Sequence, residues 1–170
     1  MMKASDIERL TNRGTYQLDF RLGSLQKEIQ EWQEEGLDLY PDFQRGHVWT
    51  PQQQTEFVEY ILRGGKTSEL LFNTKGNYAS TSEDFVCVDG LQRLTALLLF
   101  LEDKLPVFGH TRSQIEGIEL LLREIYLTFR INELLTRKAV IRWYLEINAG
   151  GTPHTREEID RVRDLLNKEK

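Results

Sequence analysis

The residues best placed to do chemistry lie in one unbroken run, Phe85-Val86-Cys87-Val88-Asp89-Gly90-Leu91-Gln92-Arg93-Leu94. An apolar strand pattern runs into Asp89-Gly90 and straight on into a helical one, so the polar residues fall on a strand–turn–helix junction. Gly90 permits the tight turn and a close approach of ligand to backbone. The first amides of the following helix lack intrahelical partners and carry the positive end of its dipole, which favours an anion. Arg93 adds a guanidinium fork that can grip phosphate oxygens in pairs. Asp89 can hold a metal ion or a ribose hydroxyl, and Gln92 can orient a phosphate or a water, which makes these two the candidate catalytic residues. The competing reading is structural: Asp89 caps the helix and Arg93 pairs with it on the surface.

A second polar stretch, Tyr40-Pro41-Asp42-Phe43-Gln44-Arg45-Gly46-His47-Val48-Trp49, stands just before another helix start. Gln44, Arg45 and Gly46 offer a second phosphate clamp, while Phe43 and Trp49 are better read as core aromatics. Gly65-Lys66-Thr67 ends like a phosphate-loop motif, but the upstream position that must be glycine holds Tyr60, and the segment reads as a loop. Cys87 lies within the strand, where a buried apolar cysteine is expected in place of a reactive one. His47, His110 and His154 show no paired spacing, so no metal site is assigned.

The elements that must position these residues alternate between strand and helix. Tyr16 to Leu22 has period two, with Tyr16, Leu18, Phe20 and Leu22 on one face. Ser24 caps a helix that reaches about Glu35 and ends at Gly36. Leu37 to Phe43 is short and extended, since Pro41 keeps Tyr40 out of helix. Thr50-Pro51-Gln52-Gln53 opens a helix with a capping box, Phe57, Val58, Ile61 and Leu62 facing inward and Gly64-Gly65 ending it. Strands follow at about Glu69 to Asn73 and Asp84 to Val88, then a helix from Leu91 to Leu101. Ile125 to Ile131 alternates as a strand despite the helix-like Glu119 to Arg123 before it. A helix from Thr136 to Ile147 precedes the break Asn148-Ala149-Gly150-Gly151. Thr155 and Glu158 form a capping box for a final helix with Ile159, Val162 and Leu166 inside. The class is α/β (α+β), a small mixed sheet flanked by helices in a single domain over residues 1–170.

Composition narrows the partners. With 39% hydrophobic and 29% charged residues the chain has the balance of a soluble globular protein. Leu94 to Leu101 is far too short an apolar run to span a bilayer. Asp6, Glu8 and Arg9 come too early for a signal segment, and a lone cysteine fits a reducing compartment, so the cytoplasm is expected. The net charge of −5 ranks a small nucleotide above duplex DNA as ligand, because non-specific DNA binding draws on basic surface.

Taken together, the two polar stretches resemble a known family. Tyr40–Trp49 is similar to a YQRGYVW segment and Val88–Leu94 to a DGQQRL segment of the N-terminal domain of GmrSD-type modification-dependent restriction systems. Asn148-Ala149-Gly150-Gly151 resembles a third landmark, the IN-x-GG turn before a helix. The resemblance runs in order from about residue 16 to 165. It implies a ParB/sulfiredoxin-like core whose DGQQR loop is associated with binding or hydrolysing a nucleoside triphosphate, with or without Mg²⁺. By position it transfers nucleotide and phosphate contacts to Gln44, Arg45, Gly46, Asp89, Gly90, Gln92, Arg93 and Asn148. Leu91 departs from the motif, where the first Gln is expected, and this weakens hydrolysis more than binding. Larger relatives carry an HNH-type nuclease module for which residues up to Lys170 leave no room, so a nuclease acting alone is not expected. The expectation is a nucleotide-binding domain, with slow hydrolysis at most, in restriction or antiphage defence. The rival readings are a nucleic-acid-binding module and a non-enzymatic partner or antagonist of a larger restriction complex.

Overall fold

The structure, a computed structural model, describes residues 3, 15–44, 49–74, 85–148 and 156–169. In chain order the elements are β1 (Tyr16–Arg21), α1 (Leu25–Glu34), α2 (Pro51–Leu62), β2 (Leu70–Asn73), β3 (Val86–Asp89), α3 (Leu91–Leu101), α4 (Ile118–Glu124), β4 (Tyr126–Asn132), α5 (Arg137–Asn148) and α6 (Arg156–Lys168). The strands form one sheet in the order β1-β4-β2-β3. β1 pairs antiparallel with β4, β4 parallel with β2, and β2 antiparallel with β3. A register shift between Leu71 and Phe72 sets Leu71 opposite Asp89 and Phe72 opposite Cys87. The architecture is the small mixed sheet with flanking helices that the alternation of patterns predicts.

Period-two alternation sorts the strand residues onto two cores. On one face Leu70, Phe72, Cys87, Leu127, Phe129 and Ile131 meet the apolar sides of α1 to α4. Trp32 of α1 is the hub there, lying edge-on to Phe20, Phe72 and Phe129 at ring-centroid distances of 5.4 to 5.7 Å. On the opposite face Val86 and Val88 pack against Val140, Ile141 and Tyr144 of α5 and Val162 of α6.

Local signals account for most boundaries. The Thr50 hydroxyl accepts from the Gln53 N–H and the Gln53 side chain accepts from the Thr50 N–H, so the predicted capping box is formed, with Pro51 in the first turn. Gly36 and Gly64 adopt left-handed φ of +103° and +88° just beyond α1 and α2. The Leu37–Phe43 stretch is extended only where Asp38 bridges Val86 in parallel. There the Asp38 N–H donates to Phe85 O and the Cys87 N–H to Asp38 O, which covers the outer edge of β3.

Several expectations are corrected. Leu22 leaves β1 for a single 3-10 turn, although it is fully buried. Ser24 holds the N-cap position of α1, yet its hydroxyl donates to Arg21 O at 3.0 Å and leaves the helix amides uncapped. The helix-like Glu119–Arg123 pattern is a real helix, α4, directly followed by β4. The predicted capping box at Thr155 lies outside the described residues. Among the described residues no helix is long and apolar enough to cross a membrane.

Candidate functional site

Cys87 and Val88, fully buried on the edge strand β3, deliver Asp89 to its end, where the chain turns into α3. The turn depends on Gly90. Its φ of +103° is left-handed, and a Cβ there would stand 2.3 Å from Leu70 Cδ2. Gly90 is therefore the N-cap of α3, with no side-chain cap bond to the first turn. Asp89 is not the cap, so that half of the structural reading fails. The close approach that glycine allows is used by the Leu70 side chain, and both Gly90 and Leu91 are buried.

The pairing in the other half of that reading forms, but with the arginine largely buried and not on the surface. Arg93 Nη2 pairs with Asp89 Oδ2 at 2.9 Å, with the arginine side chain 13% exposed and the aspartate 38%. The same guanidinium also grips the connection between α2 and β2. Nη1 donates to Thr67 Oγ1 at 3.0 Å, Ser68 O at 2.6 Å and Ser68 Oγ at 2.5 Å, and Nη2 donates to Glu69 O at 3.3 Å. A phosphate that sought Arg93 would have to compete with five acceptors already in place. Sequence reading set Thr67 aside with the Gly65-Lys66-Thr67 loop and missed Ser68 and Glu69 as members of this cluster. Ser68 and Glu69 carry no signal beyond their place just ahead of a buried strand.

The second polar stretch reaches the same junction. Gln44 Nε2 donates to Cys87 O at 2.5 Å, and Trp49 N–H donates to Gln92 Oε1 at 3.1 Å. Phe43 is buried against Tyr144, at 5.3 Å between ring centroids, and is the core residue expected, while Trp49 is half-buried and packs on Phe57 at the margin of the larger core. Arg161 of α6 holds this stretch from behind through Asp42 O, Phe43 O and Gln44 O. Arg45 and Gly46 lie outside the described residues.

Asn148 stands on α5, the helix whose Tyr144 packs on Phe43. It ends α5, donates to Tyr144 O at 2.7 Å, and lines a groove with Arg142, Glu158 and Arg163 between α5 and α6. Leu91, 3% exposed, points into the larger core among residues of α3 and its neighbours. Burial pushes the Cys87 thiol up to about 12, so it is no nucleophile at neutral pH. Beside the cluster, the Glu69 carboxylate receives Arg130 Nε and Nη2 at 2.5 Å each, and this pairing holds Glu69 below the usual carboxylate range. Among the described residues no three metal-ligating side chains gather in one place.

Fold and junction together define a small mixed α/β domain organised around a strand–turn–helix motif with a converging polar loop. Residues 25–135 match the family model described as the GmrSD restriction endonuclease, N-terminal domain. The chain belongs to that family, and membership points to a role in restriction or antiphage defence. No curated protein and no solved structure matches it.

Proposed function

We propose that the domain binds a nucleoside triphosphate at the β3–α3 junction, on a ParB/sulfiredoxin-like core, and serves restriction through that binding. The observation that carries this reading is the convergence of two polar stretches distant in the chain. Gln44 is fixed on Cys87 O and Trp49 on Gln92, each across 43 residues. Gln44 is thereby joined to Asp89, Gln92 and Arg93 around the uncapped start of α3. An oriented helix start with polar side chains on two sides suits a phosphate chain.

Mg²⁺ that arrives with the phosphates needs few protein ligands of its own. Asp89 has one oxygen on Arg93 and is 38% exposed, so it fits as the carboxylate that meets the ion. Hydrolysis has less support than binding. The position that carries Gln in the resembling motif is Leu91 here, and it faces the core. In this reading the domain senses or requires a nucleotide, and a partner in the restriction complex, DNA or protein, responds.

Thermal unfolding with ATP, CTP, GTP and UTP, with and without Mg²⁺, tests the proposal, because a ligand that prefers the folded state raises its midpoint. At least one nucleotide should raise it, and no rise with any of them overturns the reading. Anisotropy of a labelled duplex at several salt concentrations tests the rival. Tight duplex binding with a steep salt slope, indifferent to added nucleotide, would make this a DNA-binding module.

A further inference from the structure

We infer that Thr67 and Ser68 present the hydroxyl donors that meet the phosphates, and that Arg93 is the positioning residue that holds them there; this rests on the nucleotide reading above. The two residues lie on a short strap, residues 65–69, between α2 and β2. One end of the strap is fastened by Tyr60, whose hydroxyl donates to Lys66 O at 3.2 Å and accepts the Lys66 N–H at 3.3 Å. Gly65 lies so close to the Tyr60 ring that a Cβ there would stand 2.5 Å from it. The other end enters β2, where Leu70 lies over Gly90. Between these anchors the Arg93 guanidinium holds Thr67 Oγ1, Ser68 Oγ, Ser68 O and Glu69 O.

The chemistry follows from what each group can donate. A guanidinium has only donors, and a hydroxyl both donates and accepts. Thr67 and Ser68 accept from Arg93, so their own protons remain for another acceptor. A cation behind an accepting hydroxyl also polarises it and strengthens the bond it donates. Ser68 is exposed and Thr67 half-buried, while Arg93 is 13% exposed. An anion arriving at the junction therefore meets the hydroxyls before the guanidinium. Arg93 contributes by fixing the strap beside the start of α3 and by its field.

Calorimetric titration of the whole chain with ATP, CTP, GTP and UTP in turn, Mg²⁺ present, tests this. Whichever nucleotide binds the wild type should bind the Thr67→Val/Ser68→Ala variant at least about tenfold more weakly, the scale of lost hydrogen bonds to a charged group. Thr67→Ser should keep wild-type affinity, since it keeps the hydroxyl. Arg93→Lys keeps the charge but not the fork, and should lose about as much as the strap variant. Combining it with Thr67→Val/Ser68→Ala should cost nothing further. Unchanged affinity in the strap variant overturns the inference. So do losses that multiply in the combined variant, because they would make Arg93 an independent phosphate ligand. If Arg93→Lys fails to fold, Ser68→Ala alone, at an exposed position, decides by the same criterion. Failure of the wild type to bind any nucleotide sinks the nucleotide reading itself, and is seen before any variant is compared.

Discussion

The side-chain carbonyl of Gln92 accepts the backbone N–H of Trp49 at 3.1 Å, tying the first turn of α3 to the residue that precedes the N-cap of α2. Trp49 is anchored on Phe57, so the bond connects two packed elements and not two loose loops. Gln92→Leu leaves that N–H without its acceptor and should cost about 1–3 kcal/mol. Gln92→Glu keeps an acceptor oxygen and should cost less. Urea unfolding of the three proteins makes the comparison; equal midpoints would show that the tie carries no energy.

Gly90 is constrained twice, by a φ of +103° and by Leu70 Cδ2 at 2.3 Å from where a Cβ would stand. Gly90→Ala should therefore cost about 1–3 kcal/mol from backbone strain alone, with the steric conflict added. Trimming Leu70 to Ala removes the conflict but not the strain. Leu70→Ala should thus cost less in the Gly90→Ala background than in the wild type, where an apolar cavity of this kind costs about 2–5 kcal/mol. A double-mutant cycle by denaturant unfolding reads the coupling directly. Strict additivity would mean that Leu70 moves aside freely.

What could be read from the chain, and what could not, divides along the range of the forces involved. α3 shows itself in the Leu91 to Leu101 pattern, and α2 in the Thr50–Gln53 box, because a few neighbouring residues decide both. The Thr111–Gln114 box follows the same local rule and opens a 3-10 turn that sequence reading passed over. α4 has only seven residues, too few to display a helical period clearly before β4 takes over. At the site, Asp89–Arg93 was legible as an i, i+4 pair, but the strap was not. Thr67 and Ser68 lie 26 and 25 residues before Arg93, and only the sheet order brings them alongside. Alternation tells which face a residue occupies, not which strand is its neighbour. The same limit hid the side chain's orientation at Leu91, where motif likeness suggests a site position and packing makes it a core one.

Leu91 is therefore the residue where likeness and packing give opposite outcomes. Leu91→Gln restores the amide of the resembling motif but sets it where the native side chain is 3% exposed, inside the larger core. The change gives up about 1.5–3 kcal/mol of apolar burial and adds the cost of an unpaired amide, about 1–3 kcal/mol. The expected result is a marked loss of stability with no gain in phosphate release from any bound nucleotide. A faster release in a protein as stable as wild type would show that the amide turns toward the site and that position 91 is catalytic in this family.

Cys87 provides a prediction in pH. Its thiol is fully buried on β3, with Gln44 donating to its carbonyl and Asp38 pairing beside it, and burial raises its pKa from 9.0 to about 12. Raised in the fold, the group keeps its proton longer when folded than when unfolded. Its contribution is fully present below pH 9 and is lost as pH climbs from there toward 12, since the unfolded chain then holds fewer protons. The loss approaches on the order of 4 kcal/mol at the upper end, at 1.36 kcal/mol per unit. Lysines and tyrosines titrate over the same range, so the measurement must be a difference. Urea unfolding of wild type and Cys87→Ala between pH 8 and pH 11 should show a steeper decline for the wild type. In the native protein at pH 8 the thiol should also resist alkylation until denaturant is added. Parallel declines together with ready alkylation would mean that the edge of β3 opens, and that the 38–44 stretch does not seal it.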